Sequence, residues 1–167
     1  MASLQLIGEC IVYASLMGVA MDLVTAHLAP GYFIMKQPKL TASEEPLVLA
    51  LVWGIGASWW FGAIAGAILS LQNWLRKQPL PLSVIRPKIV KAVLAMWLLL
   101  MALLITFYLL IGALPAEARR PSFDLDRRMM SVALTHMTEY VIGLTAVVIV
   151  MLQLRRLPRP TPDARDS

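Results

Sequence analysis

Four runs of apolar residues set the pattern of this chain: roughly Leu4 to Leu28, Leu47 to Leu71, Ile89 to Leu114 and Ser131 to Leu154. Each reaches about 20 residues, the length that spans hydrocarbon at about 1.5 Å per residue. Backbone groups inside lipid must be satisfied within the segment, so each run predicts a helix. The period-2 alternation of a membrane barrel is absent. The expected fold class is therefore all-α, an integral membrane bundle of four transmembrane helices over residues 1–157. The Pro- and Arg-rich segment 158–167 reads as a disordered tail.

The runs are bounded by recognisable stops. Ala29-Pro30-Gly31 ends the first, and Tyr32 and Phe33 after it suit a headgroup region. The second begins after Pro46 and holds no charge over 25 residues. Pro79, Pro81 and Pro87 argue against one continuous helix between Gln72 and Lys88, which reads either as a segment on the membrane surface or as an extended loop. The third run is Leu-rich, carries no charge past Lys91, and reads as a wall helix facing mostly lipid. Pro121-Ser122 could start a short lead-in to the fourth.

Small and polar residues inside the runs are periodic too. Gly54, Ser58, Gly62, Gly66 and Ser70 recur every four residues. They line one slowly drifting helix face that permits close backbone approach by another helix, in this chain, in a second copy or in a membrane partner. Trp59 and Trp60 sit near the middle of the same run and are expected to pack beside the glycines. In the first run Ser15, Gly18, Asp22 and Thr25 share a stripe. In the fourth, Thr135, His136, Glu139, Tyr140 and Gly143 share a face. Spans one and four are antiparallel, which brings Asp22, Thr25 and His27 to the depth of His136 and Glu139. An ionised Asp at a span centre costs about 2.5–3.5 kcal/mol on the insertion scale, so these groups are expected to face inward as a polar cluster. Glu9 lies on nearly the opposite side from Asp22 and close to a membrane surface.

Composition narrows the class. The chain is 59% apolar and 15% charged, with a mean hydropathy of +0.70, outside the soluble range. Its net charge of +5 sits at the span ends, and no zinc-finger, Rossmann, P-loop or RNA-binding pattern occurs. The bilayer, not nucleic acid, is the expected partner. Nine Lys/Arg flank the runs on the side of the termini against six on the other, which favours cytoplasmic N- and C-termini in a bacterial inner membrane. Cys10 is the single cysteine and reads as a small buried apolar residue, with no disulfide to make. Gly18-Val19-Ala20 resembles a signal-cleavage site, yet no Lys or Arg precedes it and the apolar run continues to Leu28, so the first span is expected to stay uncleaved.

The polar cluster allows several chemistries. His136 and Glu139 stand one helical turn apart, and Asp22 or His27 could complete a metal shell. The carboxylate-bridged bundle sites, however, need further Glu residues that this chain lacks. Haem held by His27 and His136 is conceivable on depth alone. A site in which Asp22 or Glu139 exchanges a proton beside His136, or holds a small polar ligand, needs fewer residues. A satisfied hydrogen-bond network that merely fixes helix packing needs fewest. No catalytic residue and no cofactor is assigned. The expected function is a non-enzymatic accessory, transport or small-ligand-binding protein. The alternative is a membrane oxidoreductase or metal-dependent enzyme using the His and carboxylate groups.

The stretches Ala26-His27-Leu28-Ala29-Pro30-Gly31-Tyr32-Phe33 and Trp53-Gly54-Ile55-Gly56-Ala57-Ser58-Trp59-Trp60 resemble a pattern in uncharacterised bacterial four-span membrane proteins, A-H-x-x-P-x-Y-F followed by W-G-x-x-A-x-W-W. The likeness covers about the first half of the chain. It implies a shared signature of His27, Tyr32, Phe33, Trp59 and Trp60, and with it a site on the outer face near the first loop. It carries no activity.

Overall fold

A backbone that cannot bond to water in hydrocarbon bonds to itself, and the computed structural model is helical almost throughout its described residues, 2–35, 40–114 and 123–157. The helices run α1 Ala2–Leu28, α2 Pro30–Met35, α3 Pro46–Trp74, α4 Leu82–Gly112 and α5 Phe123–Arg155. All but the short α2 are long and apolar enough to cross a membrane. The expected tail 158–167, Lys36 and Lys39 of the first loop, and the proposed lead-in at Pro121-Ser122 lie outside the described residues.

Two helices start earlier than the apolar pattern predicts. The chain leaves the helix between Trp74 and Leu82, around Pro79 and Pro81, so the break expected between Gln72 and Lys88 is present, but α4 begins at Leu82 and takes Pro87 inside it. Pro87 sits in the second turn, where its missing N–H removes a single bond to the Ser83 carbonyl. The chain before it is held by Asn73, whose side-chain oxygen accepts from Leu80 N at 2.8 Å and whose amide donates to Leu80 O at 3.1 Å. α5 begins at Phe123, ahead of the apolar run.

The four-residue ribbon of α3 meets α1 of the same chain, and this is the most extensive helix contact in the bundle. The two helices run antiparallel. Gly54 faces Gly18 and Val19, Gly62 faces Cys10 and Ile11, and Gly66 faces Ile7. Ser70 closes the seam by donating to the Ser3 carbonyl at 3.1 Å. A Cβ on Gly62 would stand 2.8 Å from Ile11 Cα, and one on Gly66 2.7 Å from Ile7 Cα. The backbones therefore touch as only small residues allow. Cys10 is buried in this seam. Trp59 and Trp60, by contrast, lie on the open side of α3, at 50% and 40% exposure, and do not pack beside the glycines as expected. A residue offset by one from the ribbon turns about 100° away from it.

α4 and α5 form the second antiparallel pair, and α1 joins the pairs by packing on α4. Met17 and Met21 of α1 meet Leu100 and Leu104 of α4 and Val132 of α5. Nearer the termini, Leu6, Ile85, Ile89, Val150 and Leu154 form a second buried cluster. α4 leaves Leu94, Leu98, Leu99, Leu109 and Leu110 exposed, the apolar outer surface expected of a wall helix.

Arginines bind carbonyls at both ends of this pair. Arg76 donates to Leu154 O at 2.7 Å, and Gln72 to Met151 O at 2.8 Å, at the C-terminus of α5. Arg127 donates to Tyr108 O at 2.8 Å and lays its guanidinium 3.5 Å over the Tyr108 ring, near the end of α4. Cations near helix C-termini meet the negative end of the helix dipole.

Candidate functional site

The polar residues of α1 and α5 meet at the end of the bundle where α1 finishes and α5 begins. Asp22 and Thr25 lie one turn apart on α1, and His136 and Glu139 one turn apart on α5. His136 Nε2 stands 3.4 Å from Asp22 Oδ1, and Nδ1 stands 3.1 Å from Glu139 Oε2. The imidazole thus bridges two carboxylates on two helices. Thr25 Oγ1 lies 3.4 Å from the same Nε2 and 3.5 Å from Asp22 Oδ1, and donates to Met21 O at 3.2 Å. Thr135 beneath the ring donates to Ser131 O at 2.8 Å. All three ionisable side chains are mostly covered, at 6% exposure for Asp22, 16% for His136 and 14% for Glu139.

A short helix completes the enclosure. Ala29 interrupts α1, and Pro30 starts α2 with a residue that needs no N–H partner at a first helical position. α2 turns Tyr32 and Phe33 back onto His136. Tyr32 stacks on the imidazole at 5.4 Å and 7°, while Phe33 meets it edge-on at 6.0 Å and 86°. On α3, Trp60 stacks on Tyr140 at 5.6 Å, and the Tyr140 hydroxyl lies 3.5 Å from Ala57 O.

Beside this network lies a half-open chamber of about 520 Å³, with Asp22, His136 and Glu139 on one wall and Phe33, Trp53 and Tyr140 among the others. Below it, between α1, α3, α4 and α5, lies a smaller, half-open apolar slot of about 90 Å³. Ser58, Glu139 and Tyr140 line both spaces.

The structure therefore brings together Asp22, Thr25, Thr135, His136, Glu139 and Tyr140, and leaves out His27. His27 is exposed, with Nδ1 2.6 Å from the Leu23 carbonyl oxygen. Five residues from Asp22 amount to about 140° of rotation, which turns His27 off the stripe. A haem held by His27 and His136 is not supported by this arrangement. A metal shell is not either, because the two carboxylates occupy opposite nitrogens of one ring instead of converging on a point. Among the described residues no group of three or more His, Cys, Asp and Glu is placed to hold a metal ion.

Periodicity missed three contributors, although the resemblance already tied Tyr32 and Phe33 to an outer-face site. Tyr32 and Phe33 read as headgroup anchors but cover the imidazole. Trp53 lines the chamber, and no periodicity marked it. At the opposite end, Glu9 does not simply reach solvent: Arg86 of α4 grips it through both Nε, at 2.8 Å, and Nη2. No protein family, curated protein or solved structure matches the chain.

Proposed function

We propose that this chain is a non-enzymatic small-ligand-binding or transport protein of the bacterial inner membrane, with both termini in the cytoplasm and the chamber open to the outer side. The observation that carries the reading is the chamber itself. A network that served only to fix helix packing would be closed over, whereas here about 520 Å³ of space adjoins two carboxylates and an imidazole. Intramembrane ionisable groups that face a cavity mark ligand or ion pathways. An imidazole between carboxylates also supports proton exchange with a ligand: the imidazolium donates from both nitrogens and the neutral ring from one.

Three measurements test the reading. In a Cys10→Ser background, Ala57→Cys on the chamber wall should react with a membrane-impermeant thiol reagent added from the outer side. Absence of labelling in a folded protein overturns the open chamber. Replacing His136 and Glu139 together by Leu should leave a folded protein at normal abundance that fails to restore the wild-type phenotype to a deletion strain. Full restoration would reduce the network to packing. A reporter fused to the C-terminus should read cytoplasmic.

A further inference from the structure

We infer that the chamber and the slot form one bipartite site for an alkylammonium ion, with the charged head in the chamber and the unbranched alkyl chain in the slot. The inference rests on the ligand-binding reading and adds the ligand's chemical class.

The sign of the charge comes from the wall. Asp22 and Glu139 face the chamber with His136 between them, and among the described residues no Lys or Arg lines it. With both carboxylates ionised the wall carries one net negative charge if the imidazole is protonated and two if it is neutral. Such a wall in a largely covered position favours a cation and disfavours a carboxylate or phosphate. The nature of the cation comes from the aromatic residues that line the same space, Phe33, Trp53 and Tyr140. Aromatic walls around a cation site suit an ammonium group, which binds ring faces without the oxygen ligands that a hard metal ion requires.

The apolar part follows from the slot. It begins at Ser58, Glu139 and Tyr140, where the chamber ends, and descends past Met17, Phe61 and Met96 towards Cys10. Along α1, Asp22 to Cys10 is about 18 Å of rise. The slot's volume of about 90 Å³ is smaller than the cavity of about 150 Å³ that admits benzene. A small, mostly apolar space leading off a charged chamber fits a short, unbranched hydrocarbon chain. Glu139, at the junction, would sit where head and chain join.

The test is titration calorimetry on the full chain in lipid nanodiscs, with empty nanodiscs as the blank. Methyl-, butyl- and hexylammonium are the probes, and hexanoate and hexanol the controls. Affinity should rise about fourfold per methylene while the chain fills the slot, and neither control should bind. Ala146→Leu, which narrows the slot, should abolish the gain from chain length while leaving methylammonium binding within about twofold. Equal affinity for methyl- and hexylammonium would overturn the bipartite site and leave the chamber reading standing. Binding of hexanoate or hexanol as tightly as hexylammonium would overturn the choice of a cation. Failure of every probe in a protein whose Ala57→Cys variant is labelled would likewise overturn the alkylammonium class alone. Failure of both probes and labelling removes the chamber reading as well. The wild-type series decides the matter even if Ala146→Leu does not fold.

Discussion

Tyr32 lies flat against His136, ring centroids 5.4 Å apart and planes 7° from parallel. The contact reaches from the short α2 to the middle of a membrane-length helix. It fixes the imidazole plane so that one nitrogen faces Asp22 and the other Glu139. Site orientation is thereby tied to the conformation of the segment just after α1.

Removing that ring face should loosen the imidazole. Tyr32→Leu keeps an apolar filling but ends the stacking, which for aromatic pairs is worth about 0.5–1.5 kcal/mol. Alkylammonium affinity is expected to fall by roughly two- to tenfold in calorimetry. An unchanged affinity would show that Tyr32 only occupies space.

The bridge between the carboxylates should show marked non-additivity. His136→Leu alone leaves Asp22 and Glu139 buried without their shared partner, at a cost of about 1–3 kcal/mol or more. Replacing all three by Leu removes the unpaired groups and should recover most of the loss. Unfolding midpoints in detergent give the comparison, and a triple variant less stable than the single one contradicts it.

Glycines in and out of the seam should respond with opposite sign. Gly62→Ala pushes a methyl into the α1 backbone and should cost about 1–3 kcal/mol. Gly8, also on α1, has nothing within 4 Å of an added Cβ, so Gly8→Ala should stabilise by about 0.5–1 kcal/mol through helix propensity. Thermal melts of the two variants decide it.

Glu9 and Arg86 invite a double-mutant cycle. The pair is bidentate, but the Arg86 side chain is 42% exposed, and solvent screening keeps such pairs weak. Glu9→Gln, Arg86→Gln and their combination should give a small coupling that shrinks in high salt. A large, salt-independent coupling would mean that the pair is shielded from water.

The helices, and half of the site, were legible in the sequence because both depend on local periodicity. A four-residue spacing of Gly54, Ser58, Gly62, Gly66 and Ser70 specifies a small-residue face whatever it meets, and depth matching put Asp22 opposite His136. What the sequence left open depends on direction after a break. Pro30 marks where α1 ends but not that α2 folds back, so Tyr32 and Phe33 could not be assigned to the imidazole. Matching depth without matching azimuth drew His27 into the cluster, although five residues of helix rotate it away. Pro87 was read as a breaker because its cost depends on its distance from the helix start, which the apolar pattern placed too late.

The glycine seam also fixes where this molecule is able to move. Backbones in direct contact leave α1 and α3 no side-chain cushion over which to slide, so they behave as a single rigid plank. Any widening of the slot must come from displacement of α4 and α5 against that plank. Asp22 stands on the plank and His136 and Glu139 on α5, so the imidazole spans the line between the two helix pairs. A cation in the chamber, drawn to Asp22 on one half and Glu139 on the other, would clasp the two halves together, and its departure would free them.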